Sequence, residues 1–568
     1  MTIRGSGRRV TWKRDAYHSR LSLHWGTKGA GPKKNSFPAI LRVPDMRKSV
    51  QTCRLSAADA AFLYLERKEI PLHIASVCVF EGPIPFQDFV ASINSRLHLV
   101  PRYRQIPVVP GWSLDFPTWE DDPHFDIHRH IFRITLDPPG GEAELQALAG
   151  RILSQLLDRS KPLWDMYVVD GLKDGRGAII WRVHHALADG VSGAELMKVM
   201  LDPTPEVSQS TSNPRYRPRR PHRAEPSLAN DISGAVNRTL GSLLAFEAGL
   251  LDIAQALLGD RKESALKGLV ELLPEYAASV ERLPFNKPCT GERKFCWAEF
   301  DMDDVQAVRE VVGCTVNDIV LAVLTRALAR YVKLHGQSVV NRFVRIVCPV
   351  NLRQADKDGG MGNQISFLPV ALPMDARGPI RMLQAVATRT ETLKRSGAVA
   401  LVGLAARWIV AAPPPLQALF WRNIPDVILP VPLLNLICTN VTGSPTPLYA
   451  VGKRMLAAYP QVPTGYELGI GCAVHSYNGK LFFGIIADTH AAPDVDRLRD
   501  FLVLSFQELR RSAALKKARS VRGGTRVTGG QPEEPAEPAR AAAPESTKAE
   551  ASTATIPGPV VEHSKEAA

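Results

Sequence analysis

Two long stretches of this chain alternate strand-like and helix-like patterns of apolar residues, and a polar segment separates them. The first stretch covers about 51–201 and the second about 236–512, while 202–235 is rich in Pro, Arg and Ser. A segment with almost no apolar residues cannot form a core, so we expect a linker or an exposed loop there. Alternating strands and helices form mixed sheets covered by helices. The sequence therefore predicts an α/β (α+β) fold with two domains.

Several elements can be located from their patterns. A short helix is predicted within RLSAADAAFLYLERK, where Ser56 is a suitable N-cap. MYVVDGL and AIIWRVHHA are predicted strands joined by the glycine-rich turn at 173–177, and a helix follows at VSGAELMKVML. In the second stretch we expect a helix at TVNDIVLAVLTRALARYV. The strands predicted there are FVRIVCPV, ISFLPVAL, ICTNVTG, LGIGCAVHSY and KLFFGIIAD.

The positive charge of the chain is concentrated near its N-terminus. The formal net charge is +13, and the first 50 residues hold 12 Lys and Arg against two Asp, which leaves about +3 for the rest. So small an excess on the folded body argues against a nucleic-acid partner. We expect 1–50 to be a basic, disordered extension attracted to anionic membranes, unless translation starts at Met46. The tail, 513–568, is rich in Ala, Pro and Glu, and we expect it to be disordered.

The cysteines and the apolar runs predict a cytoplasmic protein without a spanning helix. Eight cysteines form no CxxC pair and most lie in apolar runs, which is typical of reduced core residues. No apolar run follows the basic N-terminus, as a secretory signal requires. The most apolar region, 398–439, is interrupted by charges and prolines. Within it, AVALVGLAARWIVAA is apolar nearly all round, which favours a buried helix over one lying on a membrane surface.

The strand AIIWRV ends in HHALADG, residues 184–190, directly before a predicted helix. Neighbouring side chains of a strand point to opposite faces, so only one of the two histidines can serve a single centre. A neutral imidazole suits proton abstraction near pH 7, and Asp189, beside the turn at Gly190, can fix the local geometry. Zinc is disfavoured because adjacent strand histidines do not converge on one metal. Two structural core histidines are the remaining alternative, which the coincidence of strand end, Asp and Gly disfavours.

The same residues carry a family resemblance. HHALADG matches HHxxxDG, the motif of the CoA-dependent acyltransferase superfamily, which includes chloramphenicol acetyltransferases and peptide-synthetase condensation domains. The segments that narrow the match are LSAADAAFLYLERKEIPLHIASVCVFEG, PRYRQ, PLWDMYVVDGL, TVNDIVLAVLTRALARY, MGNQIS and NVTGSPTPLYAVG. Over about 53–510 the chain resembles the bacterial wax ester synthase/diacylglycerol acyltransferase family.

This resemblance implies a fold and a reaction. The fold is two chloramphenicol-acetyltransferase-like domains, each a mixed sheet with helices, with an active-site tunnel between them. The reaction transfers a long-chain acyl group from acyl-CoA to diacylglycerol or a fatty alcohol. His185 is then the general base that takes the proton of the acceptor hydroxyl, with His184 beside it. A thioester is already activated, so we expect neither a metal nor a cofactor, acyl-CoA being a substrate.

Further site residues follow from the match. Asp189 is implied to orient the loop, with Arg353 in PVNLR as a candidate ion-pair partner, and Gly190 supplies backbone freedom. Asn317, which Asp318 follows in the family motif, is implied to donate a hydrogen bond to the site. A helix N-cap is the alternative role for Asn317.

A second group of motif residues has no titratable side chain. Pro162, Leu163 and Trp164 are therefore expected to shape the entrance of the site or the packing under the strand. The chain departs from the family pattern at NVTGSP, 440–445, where many relatives have a proline after Asn-Val. We expect this difference to affect substrate preference rather than the type of reaction.

The expected partners are acyl-CoA, diacylglycerol or a fatty alcohol, and the surface of a membrane or lipid droplet, contacted peripherally. Two alternatives remain. One is an acyltransferase of the same superfamily that acts on another alcohol or an amine, which the lack of a carrier-protein domain disfavours. The other is a non-catalytic lipid-binding or lipid-droplet protein that uses 398–439, which the intact HHxxxDG disfavours. Acyl-chain length, acceptor preference and oligomeric state stay open.

Overall fold

The computed structural model describes residues 54–109, 115–187, 190–206, 280–351, 365–395, 412–423 and 434–524. Within these ranges the chain forms two six-stranded sheets, a two-stranded ribbon and helices packed against the sheets. The basic extension, most of the linker at 202–235 and nearly all of the apolar segment AVALVGLAARWIVAA lie outside the described residues.

The N-terminal half supplies four strands of the first sheet. The strands of this half are β1 (His73–Phe80), β2 (Gln105–Val108), β3 (Thr118–Asp121), β4 (Ile131–Thr135), β5 (Trp164–Asp170) and β6 (Gly177–His184). Its helices are α1 (Ala57–Leu65), α2 (Phe86–Arg96), α3 (Glu142–Leu153) and α4 (Gly190–Met200). β6 lies between β1 and β5 and pairs antiparallel with both, so the predicted hairpin of β5 and β6 is confirmed. β2 and β3 form the separate ribbon.

The C-terminal half builds the whole of the second sheet. Its strands are β7 (Arg293–Asp301), β8 (Phe343–Asn351), β9 (Ile365–Pro373), β10 (Leu436–Thr442), β11 (Tyr449–Ala450), β12 (Lys453–Gln461), β13 (Ile470–Tyr477) and β14 (Lys480–Asp488). Its helices are α5 (Met302–Val312), α6 (Val316–Leu334), α7 (Pro379–Arg395), α8 (Pro414–Asn423) and α9 (Val495–Gly524). The order of strands in the second sheet is β7, β14, β13, β10, β8, β9, and the five strands predicted from the sequence are all among them.

Two strands of the C-terminal half belong to the first sheet. β12 pairs antiparallel with β1, with Ala75 opposite Gln461, and β11 forms the edge beside β12. The sequence did not predict β12, because Pro460 interrupts its pattern and proline is rare inside strands. β12 also approaches the second sheet, since a Cβ atom at Gly484 of β14 would lie 1.7 Å from the carbonyl oxygen of Pro460. The two sheets therefore meet backbone to backbone at this strand.

Each sheet covers a hydrophobic core of its own. α6 is the centre of the second core, where it is buried along most of its length against α7 and α9. No single helix among the described residues has the length and apolar composition needed to cross a membrane. In the described part of the chain, one pair of helices, α5 and α6, meets those criteria when taken together, and the pair is bent by 98° at its junction.

The start of α1 and the end of α9 can each be compared with a prediction made from the sequence. Ser56 caps α1 as predicted, because its hydroxyl accepts a 3.1 Å hydrogen bond from the main-chain N–H of Asp59. The prediction of a disordered tail from 513 was wrong at its start, since α9 continues to Gly524. Ala513 is buried in the second core, and the strong helix formers after it extend the helix from that anchor. Residues 525–568 lie outside the described part of the chain.

Candidate active site

The two histidines at the end of β6 face opposite sides of the first sheet. His184 is completely buried and its ring lies beside Glu66, whereas His185 forms part of a cavity wall. Val183 and Ile74, which are paired across β6 and β1, lie on the cavity side with His185. This arrangement is the alternation expected of a strand, and it gives the two rings different environments.

A cavity of about 320 Å³ lies between the two sheets. The first sheet contributes residues of β1, β6 and β12 to its wall, and the second sheet contributes residues of β10 and β13. Most of the wall is apolar, which is typical of a site that binds an apolar ligand. The apolar members of the wall include Phe62, Ile70, Leu72, Ile74, Trp181, Val183, Leu196, Met197, Ile437, Val462, Leu468 and Val474. The polar members include Ser76, Thr439, Asn440, Gln461, Thr464 and His475.

The ring of His185 is held by a stacked aromatic neighbour. The rings of His185 and Phe62 are nearly parallel, with centroids 4.0 Å apart and an interplanar angle of 16°. Phe62 belongs to α1, so the Ser56-capped helix positions one face of the imidazole. The main-chain N–H of His185 donates a 2.9 Å hydrogen bond to the carbonyl of Leu72, just before β1. Both the backbone and the ring of His185 are therefore fixed from the segment 57–72.

His184 links the motif to a buried carboxylate. Its Nδ1 accepts a 3.0 Å hydrogen bond from the main-chain N–H of Ala186, so Nε2 is the ring nitrogen that carries a proton. That Nε2 lies 3.2 Å from Glu66 Oε1, and Glu66 Oε2 accepts a 3.0 Å hydrogen bond from Arg159. Burial opposes the ionisation of Glu66, but His184 and Arg159 outweigh it and lower the pKa of Glu66 to about 2. The carboxylate also accepts a 3.1 Å hydrogen bond from the N–H of Leu72.

A buried ion pair continues this polar side of the first sheet. Arg182, two residues before His184, binds both carboxylate oxygens of Asp165 at 2.7 and 2.9 Å. Its guanidinium also donates to the carbonyl of Ile152 at 2.7 Å, which ties the end of α3 to β6. Burial, and then the charge of Arg182, hold the pKa of His73 well below its ordinary value, so that ring is neutral. The strand that carries the motif is thus anchored by charges on the side away from the cavity.

The PLW segment, residues 162–164, packs against the end of β6, the strand that carries the two histidines. The carbonyl of Leu163 accepts a 2.9 Å hydrogen bond from the N–H of His184. Trp164 is completely buried, its Nε1 donates to the carbonyl of Tyr103 at 2.8 Å, and its ring stacks with those of Tyr103 and His130. Pro162, Leu163 and Trp164 were expected either to shape the entrance of the site or to pack under the strand. The observed contacts are packing contacts under the strand.

Asn317 and Asp318 lie at the start of α6. The N-cap of α6 is Thr315, not Asn317, because Thr315 and Asp318 exchange hydrogen bonds as a capping box. Asp318 also accepts a 2.6 Å hydrogen bond from the hydroxyl of Thr390 on α7, which holds the two helices together. Neither Asn317 nor Asp318 is among the residues that line the His185 cavity. Their roles in the reaction stay a prediction.

Of the remaining motif residues, Gly190 belongs to the described part of the chain, and Asp189 and Arg353 do not. Gly190 is the first residue of α4. Asp189 and Arg353 lie outside the described residues, so the expected ion pair between them stays a prediction. Among the described residues, no group of three or more His, Cys, Asp or Glu side chains is placed to hold a metal ion.

The polar residues that the C-terminal half brings to the cavity were not predicted from the sequence. His475 on β13 is buried, which lowers its pKa to about 4 although its hydrogen bond to the carbonyl of Val441 opposes this. Its ring lies against Gly443 in the NVTGSP segment, where a Cβ atom would come within 2.3 Å of two ring atoms. Gln461 and Thr464 lie on and just after β12, the strand that was not predicted. Only the pairing of β12 with β1 brings them to the motif.

Comparison with known proteins agrees with this architecture. The model of the wax ester synthase/diacylglycerol acyltransferase catalytic domain matches residues 55–320, and the model of the C-terminal domain of the same proteins matches 361–510. A wax ester synthase/diacylglycerol acyltransferase from Marinobacter aquaeolei has a similar structure, with 24% identity, a TM-score of 0.56 and coverage of 81% of this chain and 100% of that one. The first condensation domain of the calcium-dependent antibiotic synthetase shares the fold, with a TM-score of 0.53, 13% identity and coverage of 82% of this chain and 97% of that one. The expected two-domain fold is confirmed.

Two sequence relatives come from Mycobacterium tuberculosis. A Mycobacterium tuberculosis protein named as a diacylglycerol O-acyltransferase is 30% identical over 462 residues, which are 78% of this chain and 93% of the relative. A second M. tuberculosis protein with the same functional name is 29% identical over 469 residues, 80% of this chain and 90% of that protein. With the motif, the fold and these matches together, the chain belongs to the wax ester synthase/diacylglycerol acyltransferase family.

Proposed function

We propose that this protein is an O-acyltransferase that moves a long-chain acyl group from acyl-CoA to diacylglycerol or a fatty alcohol, with His185 as the general base. The observation that carries the proposal is the position of His185, whose ring forms part of the wall of a mostly apolar cavity between the two sheets. Such a cavity excludes water from the reacting groups, which prevents hydrolysis of the thioester.

The chemistry needs one base and good positioning. His185 takes the proton of the acceptor hydroxyl while the oxygen attacks the carbonyl carbon of the thioester. The tetrahedral intermediate then collapses to the ester and expels the CoA thiolate, which recovers the proton from the imidazolium. The stack of Phe62 on the ring and the hydrogen bond from the His185 main chain to Leu72 support this role, because both restrict the imidazole before substrate binds.

The test is the release of free CoA from palmitoyl-CoA by the purified full-length protein, with dioleoylglycerol or hexadecanol as acceptor. His185→Ala is expected to lower acceptor-dependent release by roughly 10²-fold or more, because a general base contributes that much. His124→Ala is the matched control, since His124 is exposed and lies outside the cavity wall. Wild-type protein that binds these lipids without releasing CoA would contradict the proposal and favour the lipid-binding alternative.

We also propose that the protein attaches peripherally to a membrane or lipid-droplet surface in the cytoplasm. The amphipathic helix α8 supports this, because Leu416, Leu419 and Phe420 lie at helical spacing and each is more than half exposed. α8 packs against α1, and Arg422 of α8 lies over the ring of Tyr64. Since α1 also carries Phe62 of the cavity wall, attachment through α8 brings the cavity close to the lipid.

Sedimentation with vesicles that contain phosphatidylserine tests the attachment. Leu419→Ser is expected to reduce the bound fraction, whereas Leu515→Ser, at a comparably exposed leucine of α9, is expected to leave it unchanged. Removal of residues 1–45 is expected to weaken binding further, because it removes most of the excess positive charge. Equal sedimentation of all these proteins would contradict peripheral attachment by these segments.

A further inference from the structure

One part of the cavity wall holds three buried polar atoms that have no hydrogen-bond partner among the described residues. They are Oε1 of Gln461, Oγ1 of Thr464 and Oη of Tyr466, and Gln461 and Thr464 are 6% and 3% exposed. A buried polar atom without a partner costs about 1–3 kcal/mol, so native proteins keep few of them. Three such atoms within residues 461–466 indicate a place where a ligand supplies the missing partners.

The orientation of the Gln461 amide follows from its other contact. Its Nε2 donates a 2.7 Å hydrogen bond to the carbonyl of Val462. If the amide were reversed, its oxygen would face that carbonyl oxygen, so the atom left without a partner is Oε1. An amide oxygen can only accept a hydrogen bond. Gln461 therefore requires a donor from whatever occupies this part of the cavity.

Thr464 is fixed in a similar way. Its carbonyl accepts a 2.9 Å hydrogen bond from Arg293, which is itself bound to the buried carboxylate of Asp488 at 2.6 Å. Its methyl group lies against Gly471, where a Cβ atom would come within 2.5 Å of it. With the carbonyl and the methyl group both held, the hydroxyl is presented by a rigid segment. A hydroxyl both donates and accepts, so Thr464 can serve either role.

We propose that Gln461 and Thr464 form a subsite for a second hydroxyl group of the acyl acceptor. This inference rests on the proposed function, in which the proton of the reacting hydroxyl goes to His185. That proton is then not available to Gln461, which needs a second donor. The chemical class that supplies it is a lipid alcohol with more than one hydroxyl, such as a monoacylglycerol or a long-chain 1,2-diol. A chain with one hydroxyl leaves the subsite unsatisfied and binds less well.

The test compares kcat/KM for 1,2-hexadecanediol and 1-hexadecanol, with palmitoyl-CoA as donor. In the full-length wild-type protein the diol is expected to be preferred at least tenfold, because one hydrogen bond to a buried partner is worth about that factor. Thr464→Val, which keeps the shape and removes the hydroxyl, is expected to reduce this ratio at least threefold. Thr464→Ser restores the hydroxyl and is expected to keep the ratio. Gln461→Met is expected to bring the ratio close to one.

The outcomes distinguish a failure of the proposed subsite from a failure of the proposed acyltransferase function. Equal kcat/KM for the two acceptors in the wild-type protein, or a ratio that survives in Thr464→Val, would overturn the subsite while leaving the acyltransferase intact. No acceptor-dependent CoA release with any alcohol would overturn the proposed function and the subsite with it. Thermal denaturation shows whether Gln461→Met folds. If it does not, the comparison of Thr464→Val with Thr464→Ser decides whether the subsite exists.

Discussion

Glu66 is the carboxylate whose removal has the clearest expected consequence. It accepts hydrogen bonds from Arg159 and from the Leu72 N–H, and its Oε1 lies 3.2 Å from His184 Nε2. Its pKa falls from the ordinary 4.5 to about 2, and one pKa unit corresponds to about 1.4 kcal/mol. The ionised carboxylate therefore contributes about 3 kcal/mol to the folded state at neutral pH. Glu66→Gln removes this contribution while keeping the size of the side chain.

The effect of Glu66→Gln on stability is expected to depend on pH in a definite direction. A carboxyl group with a lowered pKa stabilises the fold above its ordinary pKa, and the stabilisation is lost as the pH falls from about 4.5 towards 2. The melting temperature of Glu66→Gln is expected to lie roughly 5 °C below that of the wild-type protein at pH 7. The difference is expected to shrink as the pH falls through that range, because the wild-type carboxylate becomes protonated.

Calorimetry at a series of pH values measures this difference. Glu310→Gln is the matched control, since the side chain of Glu310 is largely exposed and its ion pair with Lys517 is long, at 3.9 Å. In enzyme assays Glu66→Gln is expected to lower kcat roughly tenfold with little change in KM, because Glu66 positions His184 and the Leu72 backbone rather than touching substrate. A difference in melting temperature that is the same at pH 7 and pH 3, together with an unchanged kcat, would refute the reasoning.

Three further substitutions test the site. Phe62→Ala is expected to lower kcat/KM roughly threefold to tenfold because it removes the ring stacked on His185, and steady-state kinetics with an unchanged rate would contradict this. Trp164→Ala is expected to destabilise the fold by about 3–5 kcal/mol through the cavity it leaves, which denaturant unfolding would reveal. His475 has a lowered pKa of about 4, so protonation below about pH 6.5 favours the unfolded chain and stability falls towards pH 4. His475→Gln is expected to flatten that part of the profile of melting temperature against pH; an unchanged slope would argue against a neutral buried ring.

The patterns that predicted the fold well are local ones. The capped helix α1, the hairpin of β5 and β6 and the strand that ends at His184 each carry their signal within a few consecutive residues. Strand alternation also predicted that His184 and His185 lie in different environments. The same reasoning identified the HHxxxDG segment as part of the site, because its residue types and its place at a strand end are visible without knowledge of the rest of the chain.

The features that were missed depend on contacts distant in sequence. Phe62 reaches His185 across more than 100 positions, and an aromatic residue in a short helix is more often simply part of the core. Gln461 reaches the first sheet only because β12 pairs with β1. Because proline is rare inside strands, Pro460 makes β12 hard to recognise from its sequence pattern. Nothing in the periodicity of a strand specifies its partner when the partner lies hundreds of residues away.

The pairing of β12 with β1 constrains how the chain can assemble. β1 ends at Phe80, but its neighbour on one side does not exist until the ribosome has added Gln461. Until then one edge of β1 exposes unpaired N–H and C=O groups, a template for association with other chains. The N-terminal half cannot complete its sheet until β12 has been synthesised, and the long loop closure makes this pairing a slow step. A polypeptide cut between the two halves would therefore yield fragments that each need the other, and mixing the fragments would restore the sheet more readily than folding either one alone.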